Sequence, residues 1–376
     1  MFSITNYVML FIILIVLSYF YRRFEDKRIR EEDKENYETI RRFLLNDDTT
    51  STLANSKKPI LWIHIPYEYN SRNWLSFGSR SSFDLNQPYL YLTVKSIINQ
   101  CNDSFHICLI DDNSFSKLIP TWNVDMNTIS SPITNNVRTL ALAKLLHIYG
   151  GLICPISFLC MRDLSGLYQK GIQGDKMFVC ENIDRNVTST SYKFYPDIHF
   201  MGSPKENDTL KQFIDFIQRT ISRDFTAESQ FLGDFDRWCE SRVRKNEINL
   251  ISGIYIGVKN MNDEPIKLED LLGQNYIDLY PKTYGIYIPS NEILNRRYYE
   301  WFSRLSARQV LEADTILSKY MLLSNTPDAK MGVIEPLETR PNWVGFWKVP
   351  SDAPVYGLRP INLGDQSVMK IPYPTN

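Results

Sequence analysis

The sequence lacks the cysteine and histidine spacing of a metal-binding chain. Its six cysteines stand at 101, 108, 154, 160, 180 and 239 without a C-x-x-C pair, and its four histidines are scattered at 64, 106, 147 and 199. A zinc site needs closely spaced thiolate and imidazole ligands, so no metal and no cofactor is expected. Dispersed cysteines among apolar neighbours, such as Cys108 in "FHICLID", read as small buried hydrophobes of a reducing compartment. A surplus of charge is also missing. With 42 basic against 43 acidic residues the net charge is −1, which leaves no electrostatic footprint for nucleic acid. No internal repeat marks a solenoid or propeller.

Charge is wholly absent from residues 1–21, "MFSITNYVMLFIILIVLSYFY". A run of that length crosses roughly 30 Å of hydrocarbon as a helix, with Tyr19 and Tyr21 suited to the interface. It has neither the basic start nor the small-residue cleavage site of a signal peptide, so residues 1–24 read as a retained single-pass anchor. Arg22, Arg23, Lys27, Arg28 and Arg30 all follow the span, which places the C-terminal body on the cytoplasmic side of its membrane. The sequons at Asn102, Asn186 and Asn207 are then chance matches. Residues 25–58 read as a charged stalk and polar linker, and a single folded domain is expected over 59–376.

What is abundant is apolar and aromatic: 43% and 13% of residues, enough for a sizeable core. "PILWIHIPY" (59–67) and "FHICLIDD" (105–112) are continuous apolar runs of the kind found in buried parallel strands. Between them "QPYLYLTVKSIINQC" carries Leu90, Val94, Ile97 and Ile98 on one helical face behind Pro88. "NNVRTLALAKLLHIYGG" predicts a helix capped at Asn135 or Asn136 and stopped at Gly150. "LICPISFL" (152–159) predicts a third strand, with Pro155 and Ser157 on the same side of it, and "KMFVCEN" (176–182) a fourth. Helices are expected near 207–221, 228–244 and 291–324, and short strands near 250–258 and 285–288. The fold class is α/β: a mostly parallel open sheet flanked by helices, with ligands expected beyond the carboxyl ends of the strands.

This order of motifs, and above all "LLHIYGG" followed by a strand, resembles the GT-A-fold glycosyltransferases that carry a sugar-binding D-x-D motif, together with the capsular polysaccharide synthesis proteins. The resemblance covers residues 59–220, and the same order also resembles proteins of large DNA viruses. It implies a nucleotide-diphospho-sugar transferase fold, with a helix of the form S-D-x-x-R before the glycines and a metal-binding D-x-D after them. Laid onto this chain, the helix Asp falls on Thr139 and the Arg on Leu142, and the two metal-site positions hold Pro155 and Ser157. All four charged positions are gone. A nucleoside diphosphate leaving group needs its charge neutralised, usually by a divalent ion on carboxylate oxygens, and its loss removes several kcal/mol of transition-state stabilisation.

The candidates that remain are Asp111 and Asp112 at the end of the second strand, Asp163 beyond the third, and Arg138 and Lys144 on the helix before the glycines. Asp111 and Asp112 also suit a strand-end turn or cap, and Arg138 and Lys144 a solvated helix face. His64 and His106, inside apolar runs, read as core histidines; Trp343 and Trp347 read as cover for the core edge, with sugar stacking the alternative. Three functions stay open: a membrane-bound glycosyltransferase-like protein that binds a nucleotide sugar, glycan or protein partner without metal-dependent transfer; an active glycosyltransferase with an unconventional or metal-independent site; and a structural membrane or virion protein.

Overall fold

The computed structural model describes residues 58–66, 87, 89–120, 122–129, 133–185, 189, 191–222, 233–305 and 307–325. All belong to one compact unit within residues 45–376. The anchor over 1–24, the stalk apart from its last residue, Pro88, the sequon at Asn186, and Trp343 and Trp347 lie outside the described residues. Among the described residues no helix is long and apolar enough to cross a membrane.

The apolar runs become the centre of a six-stranded sheet. Strands β1 (Ile60–His64), β2 (His106–Ile110) and β3 (Gly151–Ile153) lie side by side and parallel, in the order β2-β1-β3. Leu61, Trp62 and Ile63 have no more than 0% exposure, as a strand covered on both faces requires. The sheet continues through β6 (Phe194–Ser203), β5 (Phe178–Ile183) and β7 (Asn249–Ile251). β6 runs antiparallel to both its neighbours, whereas β7 is parallel to β5. The sheet is therefore α/β and mostly parallel, but mixed.

Two helices make the crossovers that the parallel trio needs. Helix α1 (Tyr89–Cys101) joins β1 to β2, and a short α2 (Ser114–Leu118) follows β2. Helix α3 (Ile133–Tyr149) leads into β3; it starts ahead of Asn135 and Asn136, which sit in its first turn and do not cap it. Its end depends on two glycines. Gly150 has φ of +72° and donates its N–H to Leu146 O at 2.8 Å, the left-handed stop that glycine adopts without strain. Gly151 has φ of +107°, and a Cβ there would lie 2.1 Å from the carbonyl oxygen of Ile60. The pair thus lets β3 enter the sheet hard against β1. Trp62 locks the junction by donating its indole N–H to Gly150 O at 3.0 Å.

The expected strand over 152–159 is two strands in two sheets. After Ile153 the chain leaves the ladder, because Pro155 has no N–H with which to continue it. Phe158 N donates to Pro155 O at 3.0 Å, closing a turn over "PISF". β4 (Phe158–Cys160) then pairs antiparallel with β8 (Gly285–Tyr287) as a separate ribbon. Pro155 and Ser157 are consequently not alternate residues on one face of a strand.

One core lies between the main sheet and helices α3, α5 (Asp208–Ile221) and α6 (Asp234–Arg244), with Trp62, Ile110, Leu145, Met201 and Phe213 at its centre. A second packs α1 and β4 against the C-terminal helices and includes Tyr89, Leu159, Trp301, Phe302 and Leu317. The single helix expected over 291–324 is four short ones: 290–295, 300–303, 307–312 and 316–325. Near 250–258 only β7 is extended; residues 253–256 form a 3-10 turn. All six cysteines are buried free thiols.

Candidate functional site

β1 and β2 end together, so His64 and the residues after Ile110 emerge at the carboxyl edge of the sheet. The two acids there have different jobs. Asp111 accepts from Ser114 N at 2.9 Å and Ser114 Oγ at 2.6 Å, which holds the entry to α2. Asp112 accepts from His64 Nε2 at 2.8 Å, from Arg138 Nε at 3.0 and 3.1 Å, and from Arg138 Nη2 at 2.8 Å. The side chains of His64, Arg138 and Asp112 are 10%, 11% and 17% exposed. Burial opposes ionisation of Asp112, but the hydrogen bonds and charge of His64 and Arg138 outweigh it and lower its pKa to about 2. The His64 ring also stacks on Phe115 of α2, centroids 5.3 Å apart and 18° between planes.

A second imidazole–carboxylate pair stands on β6. His199 donates to Asp197 Oδ1 from its ring Nδ1 at 2.7 Å and from its backbone N at 2.9 Å, while Asn182 Nδ2 donates to Asp197 Oδ2 at 2.6 Å. Burial disfavours the Asp197 carboxylate, yet these partners lower its pKa to about 2. The charge of Asp197 in turn raises the pKa of His199 above its ordinary value, although solvent screens a ring that is 72% exposed.

Both pairs border one cavity of about 440 Å³. α3 contributes Asn135, Arg138 and Thr139 to its lining, β6 contributes His199, and the first turn of α6 contributes Asp234 and Asp236. Thr139 and Leu142, where the resemblance expects an Asp and an Arg, therefore face this cavity as a hydroxyl and an apolar chain. Arg138 supplies a guanidinium on that helix, at a different position.

The other sequence candidates lie elsewhere. Asp163 accepts from Ser165 N at 3.1 Å, from Ser165 Oγ at 2.7 Å and from Ser104 Oγ, and so pins helix α4 (Ser165–Gly171) to the segment entering β2. That is the amino end of the strand, away from Asp112. Lys144 Nζ lies 5.6 Å from the centroid of the Trp122 ring and is not part of the cavity lining. Pro155 and Ser157 do not line it either. Ser157 is 3% exposed, Ile288 N donates to Ser157 O at 3.1 Å, and Thr93 Oγ1 donates to Ile156 O at 2.6 Å.

One expectation is corrected outright: His106 is exposed rather than a core histidine, because it begins its β-strand where the apolar layer stops. His64 is a largely buried, hydrogen-bonded histidine that also lines the cavity. Asp197, His199, Asp234 and Asp236 were not candidates from sequence. The spacing of "DIH" in a strand, which puts Asp197 and His199 on one face, is the signal that could have found the first two. Among the described residues no group of three or more His, Cys, Asp or Glu side chains is arranged to hold a metal ion. No family model, no curated protein and no solved structure matches this chain.

Proposed function

We propose that this chain is a single-pass membrane protein whose body is a GT-A-like glycosyltransferase domain without metal-dependent sugar transfer. The order strand, helix, strand, helix, "YGG", strand over residues 59–153 supports the fold reading, as does a cavity at the carboxyl edge of the parallel strands. The charge-free run at residues 1–21 supports the anchor.

One observation carries the loss of metal-dependent chemistry: the D-x-D positions are Pro155 and Ser157, in a turn whose carbonyls are already bonded and whose one hydroxyl is buried. A proline ring offers no ligand, and one neutral oxygen does not assemble a divalent-ion site. Without the ion, the developing charge on a diphosphate leaving group loses its main stabilisation. The test is release of nucleoside diphosphate by the purified full-length chain from UDP- and GDP-sugars with and without Mn²⁺. No Mn²⁺-dependent turnover is expected; such turnover would overturn the reading.

The two carboxylate-backed imidazoles favour a second reading, an active transferase that needs no metal. His199 oriented by Asp197 has the geometry of a general base held in one tautomer. Metal-independent turnover that disappears in His199→Ala but survives in a Lys144→Ala control would select that reading over the first.

A further inference from the structure

The cavity's lining is wrong for a nucleoside diphosphate and right for something else. Among the described residues the lining holds one guanidinium, Arg138, and it is already engaged: three nitrogen–oxygen contacts of 3.0, 3.1 and 2.8 Å tie it to Asp112, and its Nη1 donates to Asn135 Oδ1 at 3.3 Å. The N-terminus of α6, whose backbone N–H groups and dipole could hold an anion, instead presents Asp234 and Asp236 in its own first turn. Asp234 is paired with Arg237, and Asp236 accepts from Ile198 N at 3.4 Å. Among the described residues that line the cavity or pair with its lining, the carboxylates of Asp112, Asp197, Asp234 and Asp236 face the guanidiniums of Arg138 and Arg237. Even with His64 and His199 both protonated, that set only reaches neutrality. Among these described groups a diphosphate would meet no surplus cation.

The remaining lining groups are amides and hydroxyls: Asn135, Asn136, Asn291, Thr139 and Thr220, with Phe235 as an aromatic face. Asn136 and Asn291 each carry an acceptor and a two-proton donor side by side, Asn135, whose Oδ1 accepts from Arg138, carries its amide protons, and a carboxylate can accept two hydrogen bonds at once, which matches pairs of adjacent hydroxyls. The volume of about 440 Å³ lies in the range of small-ligand sites, roughly 300–1,000 Å³.

We infer that this cavity binds an uncharged, polyhydroxylated ligand, a short stretch of neutral carbohydrate, and not the nucleoside diphosphate that the strand-edge location would suggest. The inference rests on the reading above only in taking this cavity as the working site. Carbohydrate hydroxyls bridge Asn135, Asn291 and the carboxylates of the α6 turn, and a sugar face lies on Phe235. Binding is consequently insensitive to ionic strength, because no net charge is brought in.

The test uses the full-length chain in lipid nanodiscs, so that no sugar-headed detergent competes. Maltotriose, N,N′-diacetylchitobiose, N-acetyllactosamine and α-1,2-mannobiose are titrated one at a time beside UDP, with and without Mn²⁺, by saturation-transfer NMR. At least one oligosaccharide is expected to bind equally at low and high salt and to weaken tenfold or more in Asn135→Ala/Asn291→Ala. The isosteric Asp234→Asn variant should weaken it as well, and circular dichroism melting confirms that each variant is folded. If UDP binds and Arg138→Ala abolishes it, the cavity is an anion site and the inference fails while the glycosyltransferase-like reading stands. Binding of none of the four oligosaccharides overturns it as well. Mn²⁺-dependent turnover would sink the metal-free reading without touching the carbohydrate result.

Discussion

Arg138 grips Asp112 side-on, with Nε shared between both carboxylate oxygens and Nη2 on one of them at 2.8 Å. The contact joins the end of β2 to the first turns of α3, and His64 joins β1 to the same carboxylate at 2.8 Å. Three elements therefore meet on one side chain. A pair with one partner removed leaves a part-buried charge without compensation, which costs more than the pair itself contributes. Arg138→Ala is expected to destabilise the fold by about 2–4 kcal/mol in urea denaturation. A loss below about 0.5 kcal/mol would show that the pair is only a surface contact.

The same carboxylate fixes an acid limit. Its folded-state pKa of about 2 lies below the usual carboxylate value, so ionised Asp112 stabilises the folded state. That contribution is fully present above about pH 4 and is lost as pH falls toward 2, with a size of roughly 2 kcal/mol from a shift of this extent. Asp112→Asn should lack it. The stabilities of wild type and variant, followed by denaturation between pH 6 and pH 2, should converge by roughly 2 kcal/mol in all as the pH falls, at no more than about 1.4 kcal/mol per pH unit. Parallel curves would show that Asp112 titrates normally.

Gly151 is the residue on which the sheet junction turns. A methyl group at that position meets Ile60 O at 2.1 Å, on backbone that cannot rotate away, and φ of +107° is itself strained for any side chain. Gly151→Ala should therefore cost about 3 kcal/mol or more, as steric overlap inside a packed sheet does. Gly174→Ala serves as the comparison: its nearest neighbour atom is Lys176 Cε at 3.7 Å, so only the φ of +73° penalises it. Equal losses at the two sites would mean that β1 and β3 are not in this close register.

Much of this frame is legible in the sequence, and the reasons differ by element. Runs apolar on both faces, such as "ILWIH" and "HICLI", have one good solution, a covered parallel strand, and "YGG" states where the crossover helix must stop. "LICPISFL" misleads because two short strands joined by a tight turn have the same apolar composition as one long strand; only Pro155 distinguishes them. The start of α3 is marked in the sequence by Pro132 just before Ile133, a stronger start signal than the asparagines that follow. The cavity is hardest to see, because Asp112, Arg138, His199 and Asp234 are brought together by tertiary packing across gaps that no local pattern spans.

Reinstating the D-x-D is not expected to reinstate a metal site. Ser157 is 3% exposed and its segment is held by Thr93 and Ile288, so an aspartate there would bury a carboxylate. Ser157→Asp should lower stability by several kcal/mol and leave Mn²⁺ affinity unchanged by calorimetry. Tight Mn²⁺ binding by a stable Ser157→Asp variant would show that the turn opens toward the cavity.

His199 offers a direct spectroscopic check on the second pair. The Asp197 charge raises its pKa above the ordinary 6.5, so the pair stabilises the folded state fully at pH below that value and fades as pH rises through the elevated one. With the ring 72% exposed, the stability at stake is under about 1 kcal/mol, and the pKa itself is the better observable. Histidine-selective NMR should find His199 titrating above 6.5 and moving down in Asp197→Asn. An unmoved midpoint would show that the imidazole does not rest on that carboxylate.

Membrane topology is testable at Asn207. Its side chain caps α5, accepting from Leu210 N at 2.9 Å, and its Nδ2 donates to Asp175 O at 3.0 Å. That nitrogen is where a glycan would attach, so sugar on Asn207 would compete with a contact that fixes the entry to the helix. Losing the cap outright, as in Asn207→Ala, should cost about 1 kcal/mol. The orientation proposed from the one-sided basic cluster after residue 21 would put the body on the cytoplasmic face, out of reach of the glycosylation machinery. In sealed microsomes the full-length chain should therefore remain unglycosylated, and added protease should digest the body from outside. Protection from protease together with a glycosidase-sensitive mass shift that Asn207→Gln removes would place the body in the lumen and reverse the orientation of the anchor.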